Sequence, residues 1–200
     1  MCQINVNQYL SNNENWVKEV LAKDAAYFDE LKIGQHPKAL LLGCSDSRVN
    51  PSKVLGTELG ELFIHRNIAN VVSHTDLNFL SVMQYAVEAL GVRDIIVYGH
   101  YGCGGIKAAY ENKANGLIDN WLANIKDVIR HYRKDLEAIA DENEKLNRLV
   151  EYNVLEQIEN IKQSSVYTEA LAKRIKLNLH GWVFDLSTGL VRNLKEEVVV

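Results

Sequence analysis

Asp94-Ile95-Ile96-Val97-Tyr98-Gly99 is a short apolar run that leads directly into His100-Tyr101-Gly102-Cys103. It lacks the alternation of a strand with one wet face, so it belongs inside a parallel sheet covered on both sides. Ala39-Leu40-Leu41-Leu42 is a second run of the same kind, and Gly43 lets the backbone turn closely before Cys44. In open α/β sheets ligands sit in the crevice outside the carboxyl ends of the strands. If these two strands are neighbours, Cys44, His100 and Cys103 converge there.

Working outward, Glu61 to Asn67 reads as another strand. A helix follows it, opened by Ser73 or Thr75, with Leu77, Leu80, Val87 and Leu90 on one stripe and Gly91 just past its end. On the N-terminal side, Val17, Val20, Leu21, Phe28 and Leu31 recur at helical spacing up to Gly34, a candidate cap. Beyond Cys103, Ile106 begins a helical stretch, and amphipathic patterns cover Gly116 to Tyr132 and Glu142 to Ile161. A shorter helix lies around Thr168 to Ala172. Ile175 to His180 alternates with period two, as a strand with one exposed face does, and Ser187-Thr188-Gly189 is a turn toward Val191. The expected fold class is α/β, a mostly parallel central sheet flanked by helices, with an added C-terminal edge strand or hairpin. We read one domain over 1–200, with an N-terminal helix over about 12–33 and a metal-site core over about 35–110. A helical region over about 116–172 and a C-terminal strand and hairpin over about 174–194 complete it.

The net charge of -4, with bases and acids interspersed, argues against a nucleic-acid partner. The densest basic patch, Arg130 to Lys134, runs straight into Asp135 and Glu137 and reads as a solvated helix face. No segment approaches the ~20 apolar residues of a membrane span, and the N-terminus lacks the pattern of a signal peptide. Three widely spaced cysteines fit a reducing compartment better than a disulfide framework, so the expected location is cytoplasmic, with Cys2 incidental.

Cys44, His100 and Cys103 form a Cys2His set, the kind that holds a catalytic zinc and leaves a fourth position open. The spacing His100-x-x-Cys103 lets one turn supply two ligands, and Gly102, Gly104 and Gly105 are expected to keep side chains from crowding the metal. A zinc with two thiolates carries no net charge, so a rate that rises through mildly alkaline pH is expected. Asp46 and Arg48, two apart, leave the same side of an extended segment. Paired with Arg48, Asp46 orients a zinc-bound hydroxide; unpaired, it can close the metal as a fourth ligand. The glycine stretch lacks a P-loop ending, and no Cys-x-x-Cys is present for a zinc deaminase or a thioredoxin-like centre.

Cys44-Ser45-Asp46-Ser47-Arg48-Val49, Gly60 through Asn70 and Gly99-His100-Tyr101-Gly102-Cys103-Gly104-Gly105 closely resemble the signature stretches of the β-carbonic anhydrases. The resemblance runs from about Gln35 through Trp182. It implies a zinc enzyme, one Zn2+ per chain, for reversible hydration of CO2 to bicarbonate and a proton, built as a homodimer or homotetramer. It also implies that Cys44, His100 and Cys103 are the zinc ligands and that Asp46 and Arg48 are the catalytic dyad. Gln35, Phe63, Tyr85 and the backbone at Gly104 would contact substrate, Phe63 and Tyr85 from across a dimer interface. Some members hold a regulatory bicarbonate on a Trp, an Arg and a Tyr. Arg66 matches, but Leu41 and Phe184 stand at the other two positions and remove two donors, so bicarbonate should not inhibit cooperatively. Two alternatives stay open on sequence: hydration of another heterocumulene such as carbonyl sulfide, and a non-catalytic zinc-stabilised sensor closed by Asp46.

Overall fold

The computed structural model describes residues 5–113 and 116–198, so Cys2 lies outside the described residues. The chain divides into two compact units, Met1–His36 and Pro37–Val200. The first holds α1 (Asn7–Lys23) and α2 (Tyr27–Leu31), where the periodicity suggests one helix. Asp24 leaves helical space at φ -144° and ψ 103°, and its carboxylate accepts the Ala26 N–H at 2.9 Å. An aspartate that bonds the backbone just downstream offers a turn in place of the next helical bond, which splits the stripe in two. Trp16 then meets Tyr27 and Phe28 edge-on, with ring centroids 6.3 and 5.8 Å away. Lys32, not Gly34, caps α2.

The second unit opens with β1 (Ala39–Cys44), α3 (Pro51–Leu55), β2 (Leu62–Asn67) and a 3-10 turn at Ile68–Asn70. Next come α4 (Leu77–Gln84), which continues as a π-helical turn over Tyr85–Ala89, β3 (Asp94–His100), α5 (Gly104–Tyr110) and α6 (Leu117–His131). α7 (Arg133–Glu137), α8 (Glu142–Gln163), α9 (Ser165–Ala172), β4 (Asn178–Phe184) and β5 (Val191–Val198) complete it. The strand order is β2-β1-β3-β4-β5, with β1 to β4 parallel and β5 antiparallel at the edge. This is the expected architecture, and β1 and β3 are indeed neighbours.

Three boundaries differ from the sequence reading. Asp76, not Ser73 or Thr75, opens α4, its carboxylate accepting the Asn78 N–H at 3.1 Å. The later start and the wider π turn re-aim the helix, so Phe79, Met83, Ala86 and Val87 are buried while Leu77 stays 77% exposed. Strand β4 begins at Asn178, because the Ile175 N–H is taken by the Ala170 carbonyl at the end of α9. It runs on to Phe184, and the hairpin closes where expected, Asp185 N–H bonding the Leu190 carbonyl at 2.9 Å.

The larger core lies on one face of the sheet, where Leu40, Leu42, Ile95 and Val97 meet α4, α5, α6 and α8. On the other face Ala39, Leu41, Val49, Ile96, Tyr98 and Phe184 form a smaller cluster. Helix α8 packs on β3 and β4 so closely that a Cβ built on Gly99 would lie 2.6 Å from Val154 Cγ2. Gly99→Ala is expected to lower unfolding free energy by about 1–3 kcal/mol in urea titrations, because a packed core accepts an extra methyl only by moving backbone. Val154→Ala, added to it, should recover part of that loss. A neutral Gly99→Ala would contradict the close approach.

Candidate metal centre

Strands β1 and β3 deliver their last side chains to one spot. The nearest ligand atoms of Cys44, His100 and Cys103 all lie within 4.8 Å of one another, and all three residues are buried. Cys44 Sγ and Cys103 Sγ are 3.9 Å apart. His100 Nδ1 lies 3.0 Å from the Tyr101 carbonyl. A carbonyl only accepts, so Nδ1 carries the proton and Nε2 keeps a bare lone pair. Nε2 is buried and has no hydrogen-bond partner among the described residues. Two thiols and an orphaned imidazole nitrogen fit a soft, tetrahedral cation, and zinc above others.

The two sulfurs act on each other's protons. Hydrogen bonding from the Cys103 thiol holds the Cys44 thiol below the ordinary thiol range against the effect of burial. The Cys44 thiolate in turn pushes Cys103 well above the ordinary thiol range, and burial adds to the rise.

Asp46 and Arg48 do meet, though not across an extended segment. Residues 46–49 form a turn, the Val49 N–H bonding the Asp46 carbonyl at 3.1 Å. Asp46 Oδ1 accepts the Arg48 backbone N–H at 2.9 Å and Nε–H at 3.0 Å, and Oδ2 accepts from Nη2 at 2.7 Å. That paired guanidinium holds the Asp46 carboxyl well below the usual carboxylate range. Asp46 Oδ2 is 3.8 Å from His100 Nε2, beside the ligand set, while both its oxygens face Arg48.

Two of these glycines are also required by the chain itself. Gly102 is required by its left-handed φ of 68°. A Cβ on Gly105 would lie 2.9 Å from Ile68 Cγ2 and 3.3 Å from Ala69 Cβ, whereas one on Gly104 would meet nothing within 4 Å. Gly104 is exposed at the start of α5. Gln35 is exposed in the first unit. Phe63 pairs in register with Leu40, four residues from the Cys44 end of β1. At a rise of about 3.3 Å per residue that is about 13 Å from Cys44. Tyr85 joins Phe63 there, ring centroids 6.0 Å apart.

Several positioning contacts escaped the sequence reading. Arg66 Nε–H donates to the Cys44 carbonyl at 2.7 Å, and Nη2 donates to the Asp46 and Val49 carbonyls at 2.6 and 2.7 Å. Its guanidinium therefore clamps the loop that carries Cys44, Asp46 and Arg48. Leu41 is fully buried and Phe184 stacks on Tyr98, and neither side chain offers a hydrogen-bond donor. Ala69 and Asn70 hold left-handed backbone at φ 62° and 47°. That costs non-glycine residues about 1–2 kcal/mol each. Buried amides of α8 hold the strained turn: Asn153 donates to the Ala69 carbonyl at 3.0 Å, and Gln157 accepts the Val72 N–H at 2.7 Å. The signal available in sequence was two amides, four apart, on the apolar stripe of a long helix.

A family model described as carbonic anhydrase matches residues 39–191. A carbonic anhydrase of Emericella nidulans is 43% identical over 188 residues, covering 94% of this chain and 82% of that protein. A tetrameric β-carbonic anhydrase of Sordaria macrospora superposes with a TM-score of 0.90 at 37% identity, covering 96% of this chain and 98% of its own. The Coccomyxa β-carbonic anhydrase, solved with acetazolamide, gives 0.92 at 34% identity, covering 98% and 89%.

Because ligation takes thiolates, zinc uptake should release thiol protons, and affinity should weaken as the pH is lowered through neutrality. Chelator competition at about pH 6, 7 and 8 measures this, and a pH-independent affinity would contradict thiolate ligation.

Proposed function

The chain belongs to the carbonic anhydrase family, β class, a zinc enzyme hydrating carbon dioxide reversibly to bicarbonate and a proton, and we propose that Asp46 and Arg48 are its catalytic dyad. One observation carries that assignment: a carboxylate fixed at both oxygens by one guanidinium stands 3.8 Å from the bare nitrogen of a metal ligand. Cys44, His100 and Cys103 would hold the zinc, which would supply the Lewis acidity that makes a water nucleophilic.

The protein's own groups do the rest. Asp46 is ionised over the working range and can only accept, so it takes the O–H of the nucleophile and turns a lone pair toward the carbon of CO2. Arg48 fixes Asp46 in that pose and keeps it from joining the ligands, and it offsets the charge that develops as bicarbonate forms. Its Nη2 also reaches the Gly102 carbonyl at 3.4 Å, which ties the dyad to the loop that bears Cys103. Gln35, Phe63, Tyr85 and the Gly104 backbone are the proposed substrate contacts.

Phe63 and Tyr85 sit at the far end of β2 from Cys44, so they reach a metal centre only if it belongs to a second copy. We therefore assign the functional unit as at least a homodimer, in keeping with the tetrameric Sordaria relative. Cys44 and Cys103 kept as thiols support a reducing location, and we assign the cytoplasm. No helix among the described residues is long and apolar enough to cross a membrane.

Stopped-flow CO2 hydration at about pH 8.5 tests the dyad. Arg48→Ala should lose about 10- to 100-fold in rate while keeping one zinc per chain, and an unchanged rate would overturn the assignment. In the same assay bicarbonate should inhibit along a hyperbolic curve, since Leu41 and Phe184 offer it no donors. For the assembly, sedimentation at micromolar concentration should give dimers or tetramers; a fully active monomer would sink the shared pocket.

A further inference from the structure

Glu151 is a charged side chain only 6% exposed, and it lies outside the ligand set and the dyad. Its carboxylate takes three donors. Tyr101 hydroxyl donates to Oε1 at 2.6 Å, Arg192 Nη1 of β5 donates to the same oxygen at 2.9 Å, and Arg148 Nη1 donates to Oε2 at 2.8 Å. Burying an ion pair seldom adds stability over apolar packing, because desolvation offsets most of the attraction. A specific geometric duty is the better account of a carboxylate kept there.

That duty is visible at Tyr101. Its backbone N–H bonds the Phe184 carbonyl at 3.0 Å, its carbonyl receives His100 Nδ1 at 3.0 Å, and its hydroxyl ends on Glu151. The next residue, Gly102, has no side chain, and the one contact named on its carbonyl is the long 3.4 Å approach of Arg48 Nη2, so the restraint on that side of the peptide between them is weak. The hydroxyl contact is thus the third point that fixes where the Tyr101 carbonyl aims. That carbonyl decides which imidazole nitrogen is bare.

We propose that Glu151 is a positioning residue for the metal centre, acting through Tyr101 to hold His100 in the ligating tautomer and orientation and to fix the His100–Cys103 turn. The proposal rests on the assignment of His100 and Cys103 as metal ligands.

The test is a double-mutant cycle read on the metal, not on turnover. Zinc affinity by chelator competition and the cobalt(II) visible spectrum are measured for the wild type, Tyr101→Phe, Glu151→Gln and the double variant. Tyr101→Phe leaves the Glu151–arginine pairs intact and so keeps the test valid should Glu151→Gln fold poorly. Each single variant should bind zinc about 10- to 100-fold more weakly and shift the cobalt bands. The double variant should be no worse than the weaker single, because both break one linkage. Unchanged affinity and spectrum in Tyr101→Phe, or losses that multiply in the double variant, would leave Glu151 a tie between α8 and β5 and overturn the proposal. A wild type whose cobalt spectrum lacks thiolate charge transfer would overturn the ligand assignment itself, and the proposal with it.

Discussion

Two thiols and an imidazole crowded into a buried space are unfavourable company unless a cation joins them. With the sulfurs 3.9 Å apart, two full thiolates would repel strongly at low dielectric without a cation between them. A bare His100 Nε2 without a partner adds a second deficit. Zinc removes both at once. Much of the second unit can be understood as the means of keeping three such residues together in the absence of any one element that carries them all.

The sheet does this first. Parallel β1 and β3 lie side by side, Gly43 opposite Tyr98, so their carboxyl ends emerge at one level. This part was legible in sequence, because continuous apolar runs say that a strand is covered on both faces, and residues past such strands fall in the crevice above the sheet. What the runs cannot say is how the chain behaves once it leaves the strand. Asp46 and Arg48 were expected to meet by the alternation of an extended chain, and they meet through a turn whose Asx hydrogen bond is local to Asp46. The identity of the pair survived a wrong account of its backbone because both geometries bring residues two apart to the same side.

Polar residues inside helices were the least legible. Asn153 and Gln157 sit among Val150, Val154 and Ile158 on α8, where a pattern reader scores them as noise in an apolar stripe. Their hydrogen bonds run across more than eighty residues to the Ala69–Val72 turn, and nothing in local sequence announces a partner so far away. The strained turn they hold directly follows β2, and its Ala69 packs against Gly105, just past Cys103. The same limitation applies at the N-terminus, where hydrophobic spacing continued smoothly through a break that Asp24 makes with its own side chain.

Arg66 illustrates how a residue type can keep its place while its work is set by its neighbours. A guanidinium next to indole and phenol donors can share an anion with them. Here Leu41 and Phe184 make that face apolar, and the Arg66 donors go instead to the carbonyls of Cys44, Asp46 and Val49. Those carbonyls lie on both sides of the dyad, so Arg66 braces the loop at the points where movement of Asp46 toward the metal would have to begin. Bracing the loop acts in the same direction as the pairing with Arg48, since both keep the Asp46 carboxylate where its two oxygens face the guanidinium.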